Sequence, residues 1–527
     1  MATPSTASRS PYSSFTAPHS PDVPPLPSQP QTEHRGLPFW MDRVLQELDH
    51  VRKSPDPDAV HDLRVAIRRC RSVAAVMEEV DPDPSWIEMR NIARKLFRAL
   101  GELRDTQVAE EWIRKLGADV DAMGAQLLFS LQSQELRLRD SALRVAAKFD
   151  EKTWKDLKQQ LRRRARLVPA GSLVAECLTV ERYEEAKDLH SRALRTEKTK
   201  PWHALRIGVK RFRYTVENLL PNHYAAWSAN LKRLQDLLGE IHDLDVLADL
   251  TKDAGREEIS DSPASWTERI AQERRNRMET YRQLTLGRTS LWTEWRQQLP
   301  QGERLDAAVT ARLRATARAA DPHPRRTAQV GRIAVSLLDI LRRLKAAPVL
   351  DEKSVRRVFL GAARLHGVGN GGESKSSEKN ARKFLLGLAI PPRWTAEEWE
   401  QMAWTVRFHR GEEPKEKSRG FAKLAPQQQT AVRTLAGILR LARALRKCGV
   451  DGSARLRGEK SVDAIILQAS GLTDTSETAA RLAAGKHLLE STLDKPLILK
   501  PGPKVEKIVA LPPQSAAPAP VLPAASD

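Results

Sequence analysis

The sequence predicts an all-α protein, in which a duplicated helical bundle is followed by a second, mainly helical domain that ends in a small α/β element. Two observations predict the bundle. A histidine followed by basic residues at +3, +7 and +10 occurs at His61 and again at His203. The apolar residues around both copies recur at the spacing of an amphipathic helix, and repeated helical segments are typical of two similar halves packed together. The C-terminal element is predicted by strand-like apolar runs at 464–468 and 496–499, on either side of a helical segment at 475–493.

Low-complexity extensions are predicted at both ends of the chain. Residues 1–36 are rich in Pro, Ser and Thr and are predicted to be disordered. They lack the apolar run of a secretory signal. Residues 503–527 form a second extension of the same kind. Order is predicted to begin just before the first motif, because residues 41–51 carry apolar side chains at helical spacing without Pro or Gly.

The two histidine-headed motifs are predicted to be amphipathic helices with one cationic face. The first stripe is His61, Arg64, Arg68 and Arg71, and the second stripe is His203, Arg206, Lys210 and Arg213. At 3.6 residues per turn, positions with these spacings fall within an arc of roughly 80°. The opposite side of each helix is apolar, as Leu63 and Ile67 show in the first copy and Leu205 and Val209 in the second. Each stripe is therefore a candidate surface for a polyanion.

A second pair of matching segments follows the stripes. Leu-Gly-Glu-Leu-Arg-Asp at 100–105 corresponds to Leu-Gly-Glu-Ile-His-Asp at 238–243. Basic pairs occupy equivalent places upstream of these segments: Arg94 and Lys95, then Lys232 and Arg233. Because the order of motifs is the same in both copies, two similar helical halves are expected. The acidic residues that close the segments, Asp105 and Asp243, are predicted to be salt-bridge partners or caps and not catalytic carboxylates.

HDLRVAIRRCR followed by LGELRDTQV, and HALRIGVKRFRY followed by LGEIHDLDV, resemble the CHAD family, the conserved-histidine α-helical domain. The resemblance covers residues 37–300 and implies two pseudo-symmetric helical halves, at about 37–150 and 151–300. It also implies binding of inorganic polyphosphate through a basic surface lined by these helices. The residues that it implicates are the eight of the stripes and a second group made up of Arg69, Arg211, Arg94, Lys95, Lys232 and Arg233.

The physical chemistry of the stripes agrees with a polyphosphate ligand. Such a chain carries about one negative charge per phosphoryl unit, so its binding is expected to depend steeply on salt, as for other polyanions. Arginine dominates the stripes, and its planar guanidinium holds two phosphate oxygens at once. The histidines are expected to add charge when protonated, and tighter binding at lower pH follows.

Simpler interpretations exist for each stripe taken alone. An arginine-rich helix face is most often solvated or paired with nearby carboxylates. A histidine at the start of a helix often serves only to orient a neighbour. The repetition of one spacing in two places favours a binding function.

The composition favours acidic partners and admits nucleic acid as the rival ligand. The chain has 87 Lys and Arg against 67 Asp and Glu, a net charge of +20 and a pI near 10.0. Aromatic residues make up only 5% of the chain, and the stripes lack the regular aromatic interleaving that stacks bases. Nucleic acid is therefore expected only as a weaker competitor.

The cysteines and the hydropathy pattern favour a cytoplasmic protein. Cys70, Cys177 and Cys448 are isolated and odd in number, which predicts buried thiols in a reducing compartment. No segment reaches the roughly 18 consecutive apolar residues of a membrane span, and no membrane partner is expected. The expected location is the cytoplasm, with association with polyphosphate granules as an extension of the ligand prediction.

The rest of the chain up to residue 300 is predicted to be helical, with apolar residues at helical spacing at 127–149, 157–167 and 266–299. The Pro-Gln-Gly sequence that begins at residue 300 breaks this pattern. A linker is predicted from there, at 301–324, up to the Asp-Pro-His-Pro sequence that ends at residue 324.

Residues 325–502 carry a separate signal. GAARLHGVGNGG, SSEKNARKFLLGL, MAWTVRFHRGEEP and TLAGILRLARALRK, in this order, resemble the HD-like domain found behind the catalytic part of exopolyphosphatases and guanosine pentaphosphate phosphatases. A metal-binding HD pattern needs an early His, an adjacent His-Asp pair and a later Asp, because a divalent metal needs several converging donors. Here the early position is Arg326 or Gln329 according to register, the pair reads His366-Gly367, and Arg443 stands in place of the later Asp.

The departures from the HD pattern predict a domain without metal ligands. His366 and His409 are then expected to be packing or phosphate-contacting residues. The glycines at 367–372 lack the Lys-Ser/Thr of a nucleotide-binding P-loop and are predicted to form a turn after a helix.

The relatives' phosphatase activity resides in an actin-like module with glycine-rich phosphate loops, and the sequence carries no sign of one. We therefore expect a non-enzymatic polyphosphate-binding protein without a cofactor. The first alternative is a phosphohydrolase that acts on polyphosphate or guanosine phosphates, and the second is a nucleic-acid-binding protein.

Overall fold

The computed structural model describes residues 36–116, 122–254, 263–369, 377–415, 420–473 and 475–503. Across these ranges the chain forms seventeen α-helices and one three-stranded sheet near the C-terminus. The predicted fold class, all-α with a small C-terminal α/β element, is confirmed. The two predicted extensions lie outside the described residues, apart from the residues next to the folded part, and so do the last two of the four glycines at 367–372.

The elements of the first 300 residues are all helical. They are α1 (Leu37–Lys53), α2 (Pro57–Met77), α3 (Ser85–Lys115), α4 (Ala122–Ala147), α5 (Glu151–Arg164), α6 (Leu173–Ala193), α7 (Thr199–Leu219), α8 (Pro221–Ala254), α9 (Pro263–Thr285) and α10 (Leu291–Gln298). The remaining elements are α11 (Gly302–Ala320), α12 (Pro324–Arg343), α13 (Lys353–Leu365), α14 (Ser377–Gly387), α15 (Ala396–Phe408), α16 (Pro426–Lys447), β1 (Leu456–Lys460), β2 (Ile465–Ala469), α17 (Ser476–Leu493) and β3 (Leu497–Pro501).

The first stripe lies on α2 and the second on α7, and both helices have the predicted core face. Helix α2 begins where the Asp56 side chain accepts a hydrogen bond from the Ala59 amide, followed by Pro57 at the first helical position. Its buried residues include Leu63 and Ile67. Helix α7 buries Phe212 among its core residues in the same manner. Burial of one apolar face leaves the cationic face of each helix available for the site.

The two halves repeat one packing order. Helix α2 packs against α1 and α3, and α3 packs against α4; in the second half α7 packs against α6 and α8, and α8 packs against α9. The halves meet through equivalent helices, because α2 contacts α7 and α3 contacts α8. This arrangement brings together the two helices that carry the stripes.

The predicted linker at 301–324 is wrong, because most of it forms α11, which packs against α6. Leu305, Val309 and Leu313 are buried along one side of this helix, at the spacing of an amphipathic helix. Arg312 is buried as well, and its Nη1 lies 3.1 Å from Glu181 Oε1 on α6. The proline and glycine residues at either end suggested a linker, but they only mark the two ends of this helix.

The C-terminal element consists of the sheet and α17, which packs against α16. Strand β2 pairs in antiparallel fashion with β1 and in parallel fashion with β3. The predicted strands at 464–468 and 496–499 and the helix at 475–493 correspond to β2, β3 and α17. Strand β1 was not predicted, because its sequence LRGEK has a single large apolar residue. Its Gly458 is needed where β1 crosses α12, since an added Cβ would lie 2.3 Å from Ile340 Cγ2.

Two further sequence predictions concern cysteines and hydropathy. Cys70, Cys177 and Cys448 are buried and form no disulfide, as predicted. Burial raises the pKa of the Cys70 thiol. In the part of the chain that the structure describes, no helix is both long enough and apolar enough to cross a membrane.

Candidate anion-binding site

A groove of about 400 Å³ lies between the two halves and is lined by residues of both stripes. Arg68 of α2 faces it from the first half, and Arg206 and Lys210 of α7 face it from the second. We call this cavity the stripe groove. Two further cations line it, Arg104 and Lys115 of α3, and the sequence prediction missed both. Arg104 belongs to the repeated Leu-Gly-Glu segment, so the repeat could have identified it as a candidate site residue.

Four stripe cations form one electrostatic cluster across the halves. Burial, together with the nearby charges of Arg68, Arg206 and Arg64, lowers the pKa of Lys210 to about 7. Burial also lowers the pKa of Arg64, while Asp105 acts in the opposite direction. None of the four cations has an acidic partner within 4 Å among the residues that the structure describes. Like charges held together in this way are costly without a counter-charge, so the cluster favours an anion.

The two acidic residues that close the repeated segments lie beside this cluster but form no salt bridges. Asp105 and Asp243 have no basic partner within 4 Å in the described part of the chain. The prediction that these two carboxylates form salt bridges is therefore wrong. Burial raises the pKa of Asp243 to about 6, Arg206 lowers it, and Asp105 raises it. The Asp243 carboxyl is therefore partly protonated just below neutral pH, which reduces the negative charge that it places in the groove.

Aromatic rings and a backbone carbonyl hold the arginines of the first stripe. Arg64 Nη1 donates a hydrogen bond to the Leu100 carbonyl at 2.5 Å. The Arg64 and Arg71 guanidinium carbons lie 5.5 and 4.8 Å from the centroid of the Phe97 ring. The Arg68 guanidinium carbon lies 5.7 Å from the centroid of Tyr214. Such cation–π contacts restrict long side chains that would otherwise lose rotamer entropy on binding a ligand.

The glycine of the repeated segment has a different surrounding in each half. A Cβ at Gly101 would lie 3.2 Å from Arg64 Nη1, so glycine allows the guanidinium to approach the α3 backbone. A Cβ at Gly239 would meet nothing within 4 Å. The two halves therefore repeat the sequence but not this contact. Arg64 packs against the glycine of its repeated segment, whereas Arg206 does not.

The stripe histidines lie at the starts of α2 and α7, where both are exposed. Partial desolvation, followed by the charge of Arg68, lowers the pKa of His61, so its neutral form dominates at neutral pH. His203 Nδ1 lies 3.3 Å from the Nδ1 of His242, and the two ring centroids are 4.7 Å apart. Burial and then Arg206 lower the pKa of His242 to about 4. His242, which sequence reasoning left out, belongs to the second repeated segment.

The second group of predicted site residues divides into two sets. Arg69 forms an ion pair with Glu217, and Arg211 Nη1 lies 2.8 Å from Glu185 Oε1, so both already have a carboxylate partner. The other set is exposed on α3 and α8 and does not line the stripe groove: Arg94, Lys95, Lys232 and Arg233. The pKa of Arg71 is lowered first by burial and then by the charges of Arg90 and Arg94, so Arg94 lies near Arg71.

Arg213 is the remaining residue of the second stripe. Its guanidinium carbon lies 5.9 Å from the centroid of Tyr214, the ring that Arg68 also contacts. Arg213 Nε is buried without a hydrogen-bond partner among the described residues. Arg64, Arg71 and Arg213 do not line the stripe groove itself, although Arg64 belongs to the electrostatic cluster beside it.

The two histidines singled out in residues 325–502 contact each other in the core. The ring centroids of His366 and His409 lie 5.3 Å apart in an edge-to-face arrangement. Each Nδ1 is hydrogen bonded to a backbone carbonyl, that of Ala363 at 3.0 Å and that of Val406 at 2.6 Å. Burial lowers the pKa of His366 to about 4 and that of His409 well below its usual value. Both rings are therefore neutral packing residues.

The structure thus has two helical halves with a groove between them, and the described lining of this groove carries five Arg and Lys residues against four Asp and Glu residues. Residues 41–252 match the family model described as CHAD domain, and the predicted resemblance is confirmed over that range. The crystal structure of the CHAD domain from the plant Ricinus communis is similar to this chain. It shares 20% sequence identity and has a TM-score of 0.34, and the match covers 50% of this chain and 88% of that chain. No curated protein matches the chain. The HD-like resemblance of residues 325–502 stays a prediction.

Proposed function

We propose that the protein binds inorganic polyphosphate through the stripe groove and does not hydrolyse it. One observation carries the proposal: Arg64, Arg68, Arg206 and Lys210 converge from two halves without acidic partners within 4 Å in the described residues. The CHAD family match over residues 41–252 supports it, because that family is associated with polyphosphate binding.

The electrostatics of the groove suit a ligand with closely spaced charges along a chain. Each phosphoryl unit brings about one negative charge, and release of counterions favours binding at low salt. Guanidinium groups hold phosphate oxygens in pairs, while Lys210 acts as a point charge. An anion in the groove would reverse the influence of Arg68 and Arg206 on Lys210 and raise its pKa. Binding near pH 7 is then coupled to proton uptake.

The proposal is tested by measuring polyphosphate binding to wild type and to the variant R64A/R68A/R206A/K210A. The matched control is K152A/R162A/R163A/R166A, which removes four exposed cations outside the groove and changes the net charge by the same amount. We expect a loss of affinity of at least tenfold for the groove variant and a small change for the control. Equal losses in both variants would mean that the net charge alone attracts the ligand.

Two rival functions are separated by direct assays. A phosphohydrolase would release phosphate from polyphosphate or guanosine phosphates when Mg²⁺ or Mn²⁺ is added, whereas we expect no release above background. A nucleic-acid-binding protein would retain DNA or RNA in the presence of polyphosphate. We expect long-chain polyphosphate to displace either nucleic acid at far below equal charge concentration. We further propose a cytoplasmic location on polyphosphate granules, which a fluorescent fusion of wild type and of the groove variant would test.

A further inference from the structure

A second cavity, of about 680 Å³, lies outside the CHAD match, among α11, α12 and α13. Its walls include apolar side chains from each of the three helices: Ala317 of α11, Val335 of α12, and Leu360 and Ala363 of α13. Gly452, in the loop after α16, completes the lining. A volume of this size is typical of sites for small organic molecules.

Four arginines line the same cavity, which we call the arginine pocket: Arg314, Arg318, Arg332 and Arg364. None of the four has an acidic partner within 4 Å in the described ranges of the chain. Arg364 Nη1 donates to the Leu360 carbonyl at 3.0 Å, which occupies one of the five N–H groups of this guanidinium. Burial and the charge of Arg314 lower the pKa of Arg364, so the two guanidinium groups are close enough to repel each other.

The pocket contains one acidic residue, and its carboxylate does not neutralise the arginines. Asp321 is buried at the end of α11, and its Oδ1 accepts a hydrogen bond from the His323 amide at 2.8 Å. A Cβ at Gly367 would lie 2.4 Å from Asp321 Oδ2, so this carboxylate is packed tightly against the α13 end. With four cations and one acid, the lining has a formal charge of +3.

We propose that the arginine pocket binds a small organic phosphate, a molecule with two or more phosphoryl groups on an apolar body. The four guanidinium groups provide the charge that such phosphates need. The apolar wall explains why the ligand is organic: an inorganic phosphate chain would leave Val335, Leu360 and their neighbours without an apolar partner. This site is separate from the stripe groove, so the inference does not depend on the proposed function.

The experiment is calorimetric titration of the full chain with ATP, inorganic tripolyphosphate and adenosine, in a buffer with EDTA so that no metal competes for the phosphates. ATP has both the charge and the apolar body, and each of the other probes has one of the two. The titrations are carried out on R64A/R68A/R206A/K210A, in which the stripe groove no longer competes for tripolyphosphate, and we expect ATP to bind this variant at least tenfold more tightly than either of the other probes. Tripolyphosphate that binds this variant as tightly as ATP would overturn the proposal, as would the absence of ATP binding.

Variants locate the binding. We expect R314A/R364A to lose at least tenfold in ATP affinity, whereas R325A/R343A, which removes two exposed arginines of α12 outside the pocket, retains it. R64A/R68A/R206A/K210A should also retain it, because none of its four positions lines the arginine pocket. ATP affinity that falls in the groove variant and stays unchanged in R314A/R364A would assign the ATP site to the groove and reject the pocket.

Two further variants keep the test decisive if R314A/R364A fails to fold. R318A/R332A removes two exposed arginines of the same lining and is expected to weaken ATP binding. A328W places a large side chain in the pocket from an exposed position of α12 without altering any charge. Both variants should weaken ATP binding while polyphosphate binding stays at the wild-type level, and unchanged ATP affinity in both would contradict the inference.

Discussion

Arg69 on α2 and Glu217 on α7 form an ion pair that joins the two halves of the bundle behind the stripe groove. Only 16% of the Arg69 side chain and 10% of the Glu217 side chain are exposed. The Arg69 guanidinium carbon also lies 5.1 Å from the centroid of Trp40 and 5.7 Å from that of Tyr214. Arg69 was predicted to bind polyphosphate, but in the structure it contacts the opposite half.

Replacement of Arg69 by Ala should therefore lower stability more than it lowers binding. The change leaves the Glu217 carboxylate buried without its partner, and we expect a loss of about 3 kcal/mol in the free energy of unfolding. Urea denaturation measures this loss, and the double variant R69A/E217A should recover part of it. If R69A weakens polyphosphate binding as much as R68A does and leaves stability unchanged, Arg69 is a ligand residue.

Polyphosphate should bind more tightly as the pH falls from 8 to 5.5, chiefly through Lys210 and Asp243. Lys210, with a pKa of about 7, gains a positive charge over this range, and Asp243, with a pKa of about 6, loses a negative one. Both changes make the stripe groove more positive. The sequence attributed this dependence to the stripe histidines, but the pKa of His61 is lowered.

Affinity measured against pH in wild type, K210M and D243N tests this assignment. D243N should bind more tightly than wild type at pH 8, and the pH dependence should be weaker in both variants. If the affinity of K210M/D243N depends on pH as steeply as that of wild type, the stripe histidines and not Lys210 and Asp243 cause the pH dependence.

The salt dependence of binding should report the number of groove cations. Removing four contacts is expected to reduce the slope of log affinity against log salt by about 3, if each contact with a single-chain polyanion contributes about 0.7. Titrations of wild type and of R64A/R68A/R206A/K210A at three or more salt concentrations measure the difference. An unchanged slope in the groove variant would place the phosphate contacts elsewhere.

The two glycines of the repeated segments should respond differently to Ala. G239A is expected to raise stability by up to about 1 kcal/mol, because Ala favours a helix and the added Cβ meets nothing within 4 Å. G101A should raise it less, since its Cβ would displace the Arg64 guanidinium from the Leu100 carbonyl. Thermal unfolding and polyphosphate affinity of both variants test this, and equal effects would show that the Arg64 contact is dispensable.

The sequence predicted the stripes well because their spacing is local: on a helix, residues three, four and seven apart share a face whatever surrounds them. It also identified the repeated segment that brings Arg104 and Asp243 to the groove. The meeting of α2 with α7 follows from packing between residues far apart in sequence, so the pattern did not reveal that Arg69 reaches Glu217. The depressed pKa of Lys210 likewise depends on burial and on charges from the other half.

The helix α11 has a consequence for how the protein can be divided. It packs against α6 through a buried contact of Arg312 with Glu181, and its outer side carries Arg314 and Arg318 of the arginine pocket. A fragment that ends at residue 300 would expose the apolar side of α6 and leave the Glu181 carboxyl without Arg312. Burial raises the pKa of this carboxyl to about 7 in the complete fold. Helix α11 thus packs against the two-half bundle on one side and lines the arginine pocket on the other, so a fragment designed to contain the stripe groove should include α11.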